Sequence, residues 1–410
     1  AEAEAEAPTV VACSPYDAFT AAAARFADRP CLGQKAPRPD GSSGGYVWLT
    51  YRDVQREVLR ISSGLWRKFE LQRNAKVGLL GNASVPWLLC DLALMRAGVD
   101  TLCLTEPPLE LRLQLHAGAA LGIGTDGSDG RTLLITSIDE EGPVARWNRD
   151  NPEKQISKGD RIVELNGLRG DAQLLAAESA KPGALDMRVF RSPCEVLLCS
   201  VQWLEHYVQV ASQEASDFRV PSIPIVVFNQ VPLEGVPAKL VAEAQYYGLR
   251  VLGLRFITHF GEVAGWVPYM GIGGSHVFTT TYRSRYGKSS QLAEVKVTLQ
   301  ALALASNSVA QALSLSHTDV HFSYTSPAFF AERVVMHAVL AVGGAVGCFG
   351  GVRSPRIFDD IRELGPSFLL GSPGLFGGQL RRIQALHVGP VSRLCFAVQR
   401  WALRRSETRD

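Results

Sequence analysis

The stretch AKVGLLGNASVPWLLCDLALMRAGVDTLCL, Ala75 to Leu104, decides the fold class. AKVGLLGN is a short apolar run ending in Gly-Asn, as a strand does where it meets a turn. SVPWLLCDLALMRAG has the length of a helix and carries Gly98 where a C-cap is needed. VDTLCL is a second strand. Strand, helix and strand at this spacing form a βαβ unit, and such units build parallel sheets.

Upstream, PYDAFTAAAARFAD (Pro15–Asp28) has helical spacing, with Tyr16, Phe19 and Phe26 on a shared side. CLG and YVWLTY flank the turn-rich APRPDGSSGG and predict a hairpin. Thr50 is placed to cap a helix from Tyr51 to about Phe69, with Asp53 in its first turn. Beyond Pro193, EVLLCS, IPIVVFNQV and LRVLGLRF read as strands, with the helix KLVAEAQYYG between the last two. HTDVHFSYTSP then leads into the helix AFFAERVVMHAVLAV. GAVGCFGGV, the helix RIFDDIRELG and the strand PSFLLGSP complete a second α/β run.

A chain of 410 residues predicts two or three domains, and 46% hydrophobic with 20% charged residues is a globular composition. A net charge of +2 gives no electrostatic footprint for nucleic acid. The eight cysteines form no CxxC pair and sit mostly in apolar runs, so they read as buried reduced thiols. No run is long and apolar enough for a membrane span; the nearest, Met336 to Gly351, is glycine-rich and short. The expected location is cytoplasmic or peripheral on an internal membrane.

Between about Gly118 and Arg191 the character changes to short strands, Gly and Asp turns and more charge. LGIG (Leu121, Gly122, Ile123, Gly124) opens a strand, TLLITSI is another, and GPVARW starts a short helix at Pro143. GDRIVELNG closes in an Asn-Gly turn, and the helix DAQLLAAESAKPG precedes a last strand, ALDMRVFR. This order and these residues resemble a PDZ domain. In that family a loop of the LGIG type offers backbone N–H groups to a peptide's terminal carboxylate, and the peptide adds as a strand. The resemblance implies binding of C-terminal peptides of other proteins at Leu121–Gly124. Asp171 and Ala172 stand where many members carry a His, so a purely scaffolding insert is the other reading.

With that block removed, the two flanks read continuously. CLGQKAPRPDGSSGGYVWLTYRDV, KVGLLGNASVPWLLCDLALMRAG, TDVHFSYTSPAFFAERVVMHAVL and PSFLLGSPGLF resemble the long-chain acyl-CoA synthetases, which are adenylate-forming ligases. The implied fold is α/β: layered subdomains of an adenylate-forming ligase N-terminal region with an inserted β-rich PDZ-like domain. The implied organisation is a low-complexity lead at 1–13, ligase-like parts at 14–117 and 193–390, the insert at 118–192 and a basic helical tail at 391–410. The implied chemistry uses ATP, Mg²⁺ and CoA. A fatty acid carboxylate attacks the α-phosphate, pyrophosphate leaves, and CoA then displaces AMP.

The family's phosphate loop is of the type YTSGTTGxPKG, and TTTYRSRYGKSS (Thr279–Ser290) stands in its place. Thr281, Tyr282, Ser284, Gly287 and Lys288 fit in order. Arg283 replaces a Thr, Arg285 the first Gly, and Tyr286 stands where a Thr pair is expected. A Walker-type loop fails as well, because Tyr282 occupies its first Gly position. Phe329 replaces a His that helps shape the acyl and nucleotide site, while Glu332 and Arg333 remain as a remnant of that region. No YGxTE-like run occurs, and Asp410 ends the sequence before the family's adenine, ribose and Mg²⁺ blocks and its catalytic Lys find equivalents. The expectation is a truncated ligase-like protein that does not complete adenylation alone. Two alternatives stand beside it: a peptide-binding protein acting through the insert, and a piece of a longer active ligase.

Other constellations carry less. His317 and His321 in HTDVH lack the Glu of HExxH and lead into a strand pattern. Asp359 and Asp360 read as the solvated face of an amphipathic helix. Gly271–Gly274 has no helix after it. In the tail, Arg393, Arg400, Arg404 and Arg405 alternate with apolar residues, as a surface helix does.

Overall fold

The βαβ unit is formed by β3 (Lys76–Leu80), α3 (Val85–Ala97) and β4 (Asp100–Leu104), with β3 and β4 parallel and in register from Lys76–Asp100 to Leu80–Leu104. The computed structural model describes residues 14–371, apart from 38–42, 105–109, 118–120, 129, 191–193, 214–217, 220–222, 230–234, 270, 286–287 and 350–356. The low-complexity lead and the basic tail lie outside the described residues.

Ahead of the unit come α1 (Pro15–Arg25), β1 (Pro30–Pro37), β2 (Ser43–Thr50) and α2 (Tyr51–Phe69). Thr50 and Asp53 form a capping box: the Asp53 N–H donates to Thr50 Oγ1 at 3.2 Å and the Thr50 N–H to Asp53 Oδ2 at 3.1 Å. Gly98 ends α3 at φ 68°, the left-handed conformation that a C-cap needs.

The middle of the chain carries β5 (Glu110–Ala117), β6 (Ile123–Asp126), β7 (Leu133–Ile138), α4 (Pro143–Asp150), β8 (Arg161–Leu165), β9 (Leu168–Arg169), α5 (Ala172–Ser179) and β10 (Gly183–Phe190). The rest is β11 (Val196–Ser200), α6 (Val201–Ser212), β12 (Phe218–Arg219), β13 (Ile225–Phe228), α7 (Ala238–Tyr246), β14 (Val251–Gly253) and α8 (Leu254–Val263). After these come β15 (Val277–Arg285), β16 (Lys288–Thr298), α9 (Leu299–Ala312), β17 (Val320–Ser323), α10 (Phe330–Ala341), β18 (Ala345–Cys348) and α11 (Ile357–Leu364).

Three sheets result. The central one has order β14-β13-β11-β3-β4-β15-β16, parallel as far as β15 and closed by the antiparallel β16. Its central strands β13, β11, β3 and β4 are buried on both faces. Val77, Leu79, Val196 and Leu198 join the core beneath α2 and α3, while Leu80, Leu197, Cys199 and Val227 join a second core with Leu204 and Tyr207 of α6. A smaller sheet, β17-β18-β1-β2, supports the other side of α3. Every residue of α3 from Val85 to Arg96 is buried, as a helix between two sheets requires.

The third sheet, β12-β5-β10-β8-β7-β6, has its own core of Leu113, Leu133, Ile135, Ile162, Leu175 and Met187 among others. β5 pairs with β10 from Gly183–Ala117 to Phe190–Glu110, so this sheet begins at Glu110, upstream of the expected boundary at residue 118. The Pro107–Pro108 pair ahead of ELRLQLHA is the turn signal that separates it from β4.

Helices α2 and α8 cross at two glycines. A Cβ on Gly64 would lie 2.0 Å from the Ile257 carbonyl oxygen, and one on Gly261 would lie 2.0 Å from that of Arg60. LRVLGLRF was expected as one strand, but only Val251–Gly253 is strand and α8 starts at Leu254. Of the expected strand PSFLLGSP, the described residues 366–371 form a single bridge, between Phe368 and His321. Asp360 is 1% exposed rather than solvated, because the Lys35 ammonium on β1 reaches it. Six cysteines, Cys31, Cys90, Cys103, Cys194, Cys199 and Cys348, are free and buried.

Candidate functional site

The residues read as a phosphate loop lie on an antiparallel hairpin. β15 enters the central sheet beside β4 through Thr279–Thr101 and Thr280–Leu102. It then pairs with β16 from Val277–Thr298 to Arg285–Lys288, with Thr281 opposite Val295 and Ser284 opposite Leu292. Only Tyr286 and Gly287 separate Arg285 from Lys288, and these two lie outside the described residues.

The base of the hairpin is clamped. Thr280 Oγ1 donates to Asp100 Oδ2 at 2.8 Å, and Thr279 Oγ1 donates to the Thr101 carbonyl at 2.6 Å. Thr279 Oγ1 also accepts a bond from Arg333 Nη1 at 2.9 Å. Arg333, on α10, is buried; its Nε donates to Asp91 Oδ2 at 3.0 Å and its Nη2 to Asp91 Oδ1. His337, one turn along α10, places Nε2 3.1 Å from Asp91 Oδ2. The guanidinium carbon sits 4.5 Å from the centre of the Phe278 ring. Burial disfavours the Asp91 carboxylate, but Arg333 and His337 outweigh it and hold its pKa below the ordinary value. Burial pushes the neighbouring Cys103 thiol up to about 11.

Glu332 is also buried, with Oε1 2.9 Å from His321 Nε2. Glu332 Oε2 and His321 Nδ1 are buried with no hydrogen-bond partner among the described residues. Phe329 is 60% exposed at the N-cap of α10. The three residues read as one acyl and nucleotide remnant therefore divide: Glu332 and Arg333 bind helices and strands together, and Phe329 faces solvent. His317 stacks on Phe26 at 5.2 Å rather than meeting His321. Among the described residues no three His, Cys, Asp or Glu side chains gather as a metal site, and no helix is long and apolar enough to cross a membrane.

Sequence reading missed Asp91 and His337. The available signal was Asp91 itself, a lone acid in the apolar VPWLLCDLALM, since such a residue is seldom buried without a partner.

In the β-rich body, Leu121 is buried and Gly122 has φ 69°. The carbonyls of Leu121 and Gly122 accept from the N–H groups of Val144 and Asp139 at 3.3 and 2.8 Å. A Cβ at Gly122 would stand 2.7 Å from Gly142 Cα, so two backbones touch here and only glycine fits. Gly124 continues into β6, which ends the sheet. Asp171 caps α5, its Oδ1 accepting from the Gln173 N–H at 2.8 Å.

Known proteins fit this geometry. Residues 19–117 match the AMP-binding enzyme family. The adenylation domain of a carboxylate reductase from Mycobacterium chelonae overlays 93% of this chain with a TM-score of 0.56 at 15% identity. The chain has the fold of the N-terminal domain of adenylate-forming ligases. Among curated proteins, fatty acyl-CoA synthetase A of Dictyostelium discoideum is 46% identical over 55 residues, 13% of this chain and 8% of that protein. Long chain acyl-CoA synthetase 4 of Arabidopsis thaliana is 32% identical over 74 residues, 18% of this chain and 11% of its own. The chain spans 48% of the reductase domain.

Proposed function

We propose that this chain is a long-chain acyl-CoA synthetase-like protein that does not itself complete adenylation. The match at residues 19–117, the partial likeness to two acyl-CoA synthetases and the fold support its kinship with enzymes that activate carboxylates. In that chemistry ATP, Mg²⁺ and CoA act on a fatty acid, and a mobile loop rich in glycine and hydroxyls holds the β,γ-phosphates.

One observation carries the loss of activity. Strand pairing runs on to Arg285–Lys288 and leaves two residues between them, where the family has an open loop. A paired strand spends its N–H groups on the ladder, and Arg and Tyr replace the small residues that let a backbone wrap a phosphate. The test is ATP–pyrophosphate exchange with palmitate and Mg²⁺. The expected result is no exchange above background, and palmitate-dependent exchange would overturn the reading.

A second reading rests on the β-rich body, as a PDZ-like domain that binds C-terminal peptides. Gly122 curls the loop ahead of β6, and β6 is a sheet edge to which a strand can add. Titration with peptides as free acids and as amides tests it. Saturable binding of the acids alone supports the reading, and no saturable binding of either form removes it.

A further inference from the structure

Arg96 is 8% exposed, yet no carboxylate pairs with it among the described residues. Its Nη1 donates to Ser62 Oγ at 2.8 Å, its Nη2 donates to the Val267 carbonyl, and the Tyr16 hydroxyl also meets it. Asp17, the acid beside Tyr16, is engaged by Ser14 and by the Tyr269 hydroxyl. Arg96 lies in the last turn of α3, whose carbonyl end offers partial compensation only. Among the described residues its partners are neutral oxygens, so a buried positive charge keeps N–H groups to spare and lacks a full counter-charge.

Beside Arg96 lies a cavity of about 400 Å³. Its walls are mostly carbon, from Trp66, Ala97, Val267, Pro268 and Ile272, with Arg73 exposed among its lining residues. This is the size range of small-molecule sites, and an apolar wall with one fixed charge selects a ligand with an apolar body and one ionised end. None of the lining residues belongs to the β15–β16 hairpin or to α10.

We propose that this cavity binds a small amphipathic carboxylate, its anionic end on Arg96 and its hydrocarbon against Trp66, Ala97 and Ile272. The carboxylate supplies the missing counter-charge through the free guanidinium N–H groups, in the charge-assisted geometry that arginine favours. The site is independent of any adenylation chemistry.

Calorimetric titration of the full chain with octanoate tests it, with 1-octanol and acetate as probes of tail and head alone. One saturable octanoate site is expected, bound at least tenfold more tightly than 1-octanol, with no saturable acetate binding. Arg96→Gln should weaken octanoate at least tenfold. Ala97→Phe, which fills the cavity and leaves Arg96 in place, should do the same. If Arg96→Gln does not fold, Ala97→Phe and the octanol comparison decide. No saturable octanoate binding, equal binding of 1-octanol, or octanoate binding that Ala97→Phe leaves unchanged overturns the proposal. The last outcome places octanoate elsewhere and leaves the ligase-like reading untouched.

Discussion

Lys35 Nζ on β1 lies 2.6 Å from Asp360 Oδ1 on α11, across 325 residues of chain, with both side chains buried. Glu363 adds a second carboxylate at 2.7 Å. The pair fixes α11 to the small sheet. Asp360→Asn is expected to cost about 2 kcal/mol, the scale of a buried hydrogen bond to a charged group. Urea denaturation measures this. Burial works against the Lys35 charge, but Asp360 and Glu363 outweigh it, so the folded pKa lies above the ordinary lysine value. A raised base contributes stability in full below about pH 10.4 and loses it as pH climbs through the folded value. Lys35→Met should therefore remove part of the wild type's loss of stability above that pH.

Asp91 offers the opposite sign. Asp91→Asn leaves the Arg333 guanidinium buried without its carboxylate and is expected to cost about 3–5 kcal/mol. The Asp91 pKa is held below the ordinary range, so its contribution is present above about pH 3.9 and is lost only as pH falls through the lower folded value. Acid unfolding followed by circular dichroism should show this limb in the wild type and not in the variant.

At the α2–α8 crossing, Gly64→Ala would drive a methyl into the Ile257 carbonyl at 2.0 Å. The helices must move apart, at an expected cost of about 3 kcal/mol, the upper end of the overpacking range. A fall in Tm of the purified variant checks this, and a Tm equal to that of the wild type would refute the close crossing.

The six buried thiols should be silent in the native state. Burial pushes Cys103 up to about 11 and Cys194 up to about 12, and it also raises Cys31, Cys90, Cys199 and Cys348 well above the ordinary thiol value. A neutral, inaccessible thiol does not attack an alkylating agent. Iodoacetamide labelling mapped by mass spectrometry should leave these six unmodified at pH 8 and modify all six in urea.

Local chemistry made several elements legible. Thr50 with Asp53, and Gly98 at the end of α3, mark their helix ends by capping needs that neighbouring residues satisfy. In the β-rich body the strands β7, β8 and β10 were legible from TLLITSI, GDRIVELNG and ALDMRVFR. What escaped depends on partners far away in sequence. Nothing near Asp360 announces Lys35, so an acidic pair on an amphipathic helix suggested a solvated face where there is an ion pair. Ser200 is both the last residue of β11 and the N-cap of α6, with no Gly or Pro between, so the only start signal for the helix VQWLEHYVQVAS was one serine whose side chain makes no capping bond. VLGLRF is apolar but for Arg255, and short apolar runs do not distinguish strand from helix. The hairpin was hidden for another reason. Its residues keep part of a loop pattern, and only pairing with β16 and β4 makes them strands.

The β-rich body also has a bearing on how the protein can be cut. β4 and β11 run parallel with β3 between them, so the chain leaves the central sheet at one end and must re-enter at the other. A five-residue strand is about 16 Å long at ~3.3 Å per residue. The body's own ends meet instead, since Glu110 and Phe190 are direct ladder partners. Glu110–Phe190 is thus a cassette whose excision should leave a folding unit, provided β12 tolerates the loss of its partner. Splicing Leu104 straight to Val196 would tear the parent sheet, and a bridge of at least about six extended residues would be needed in its place.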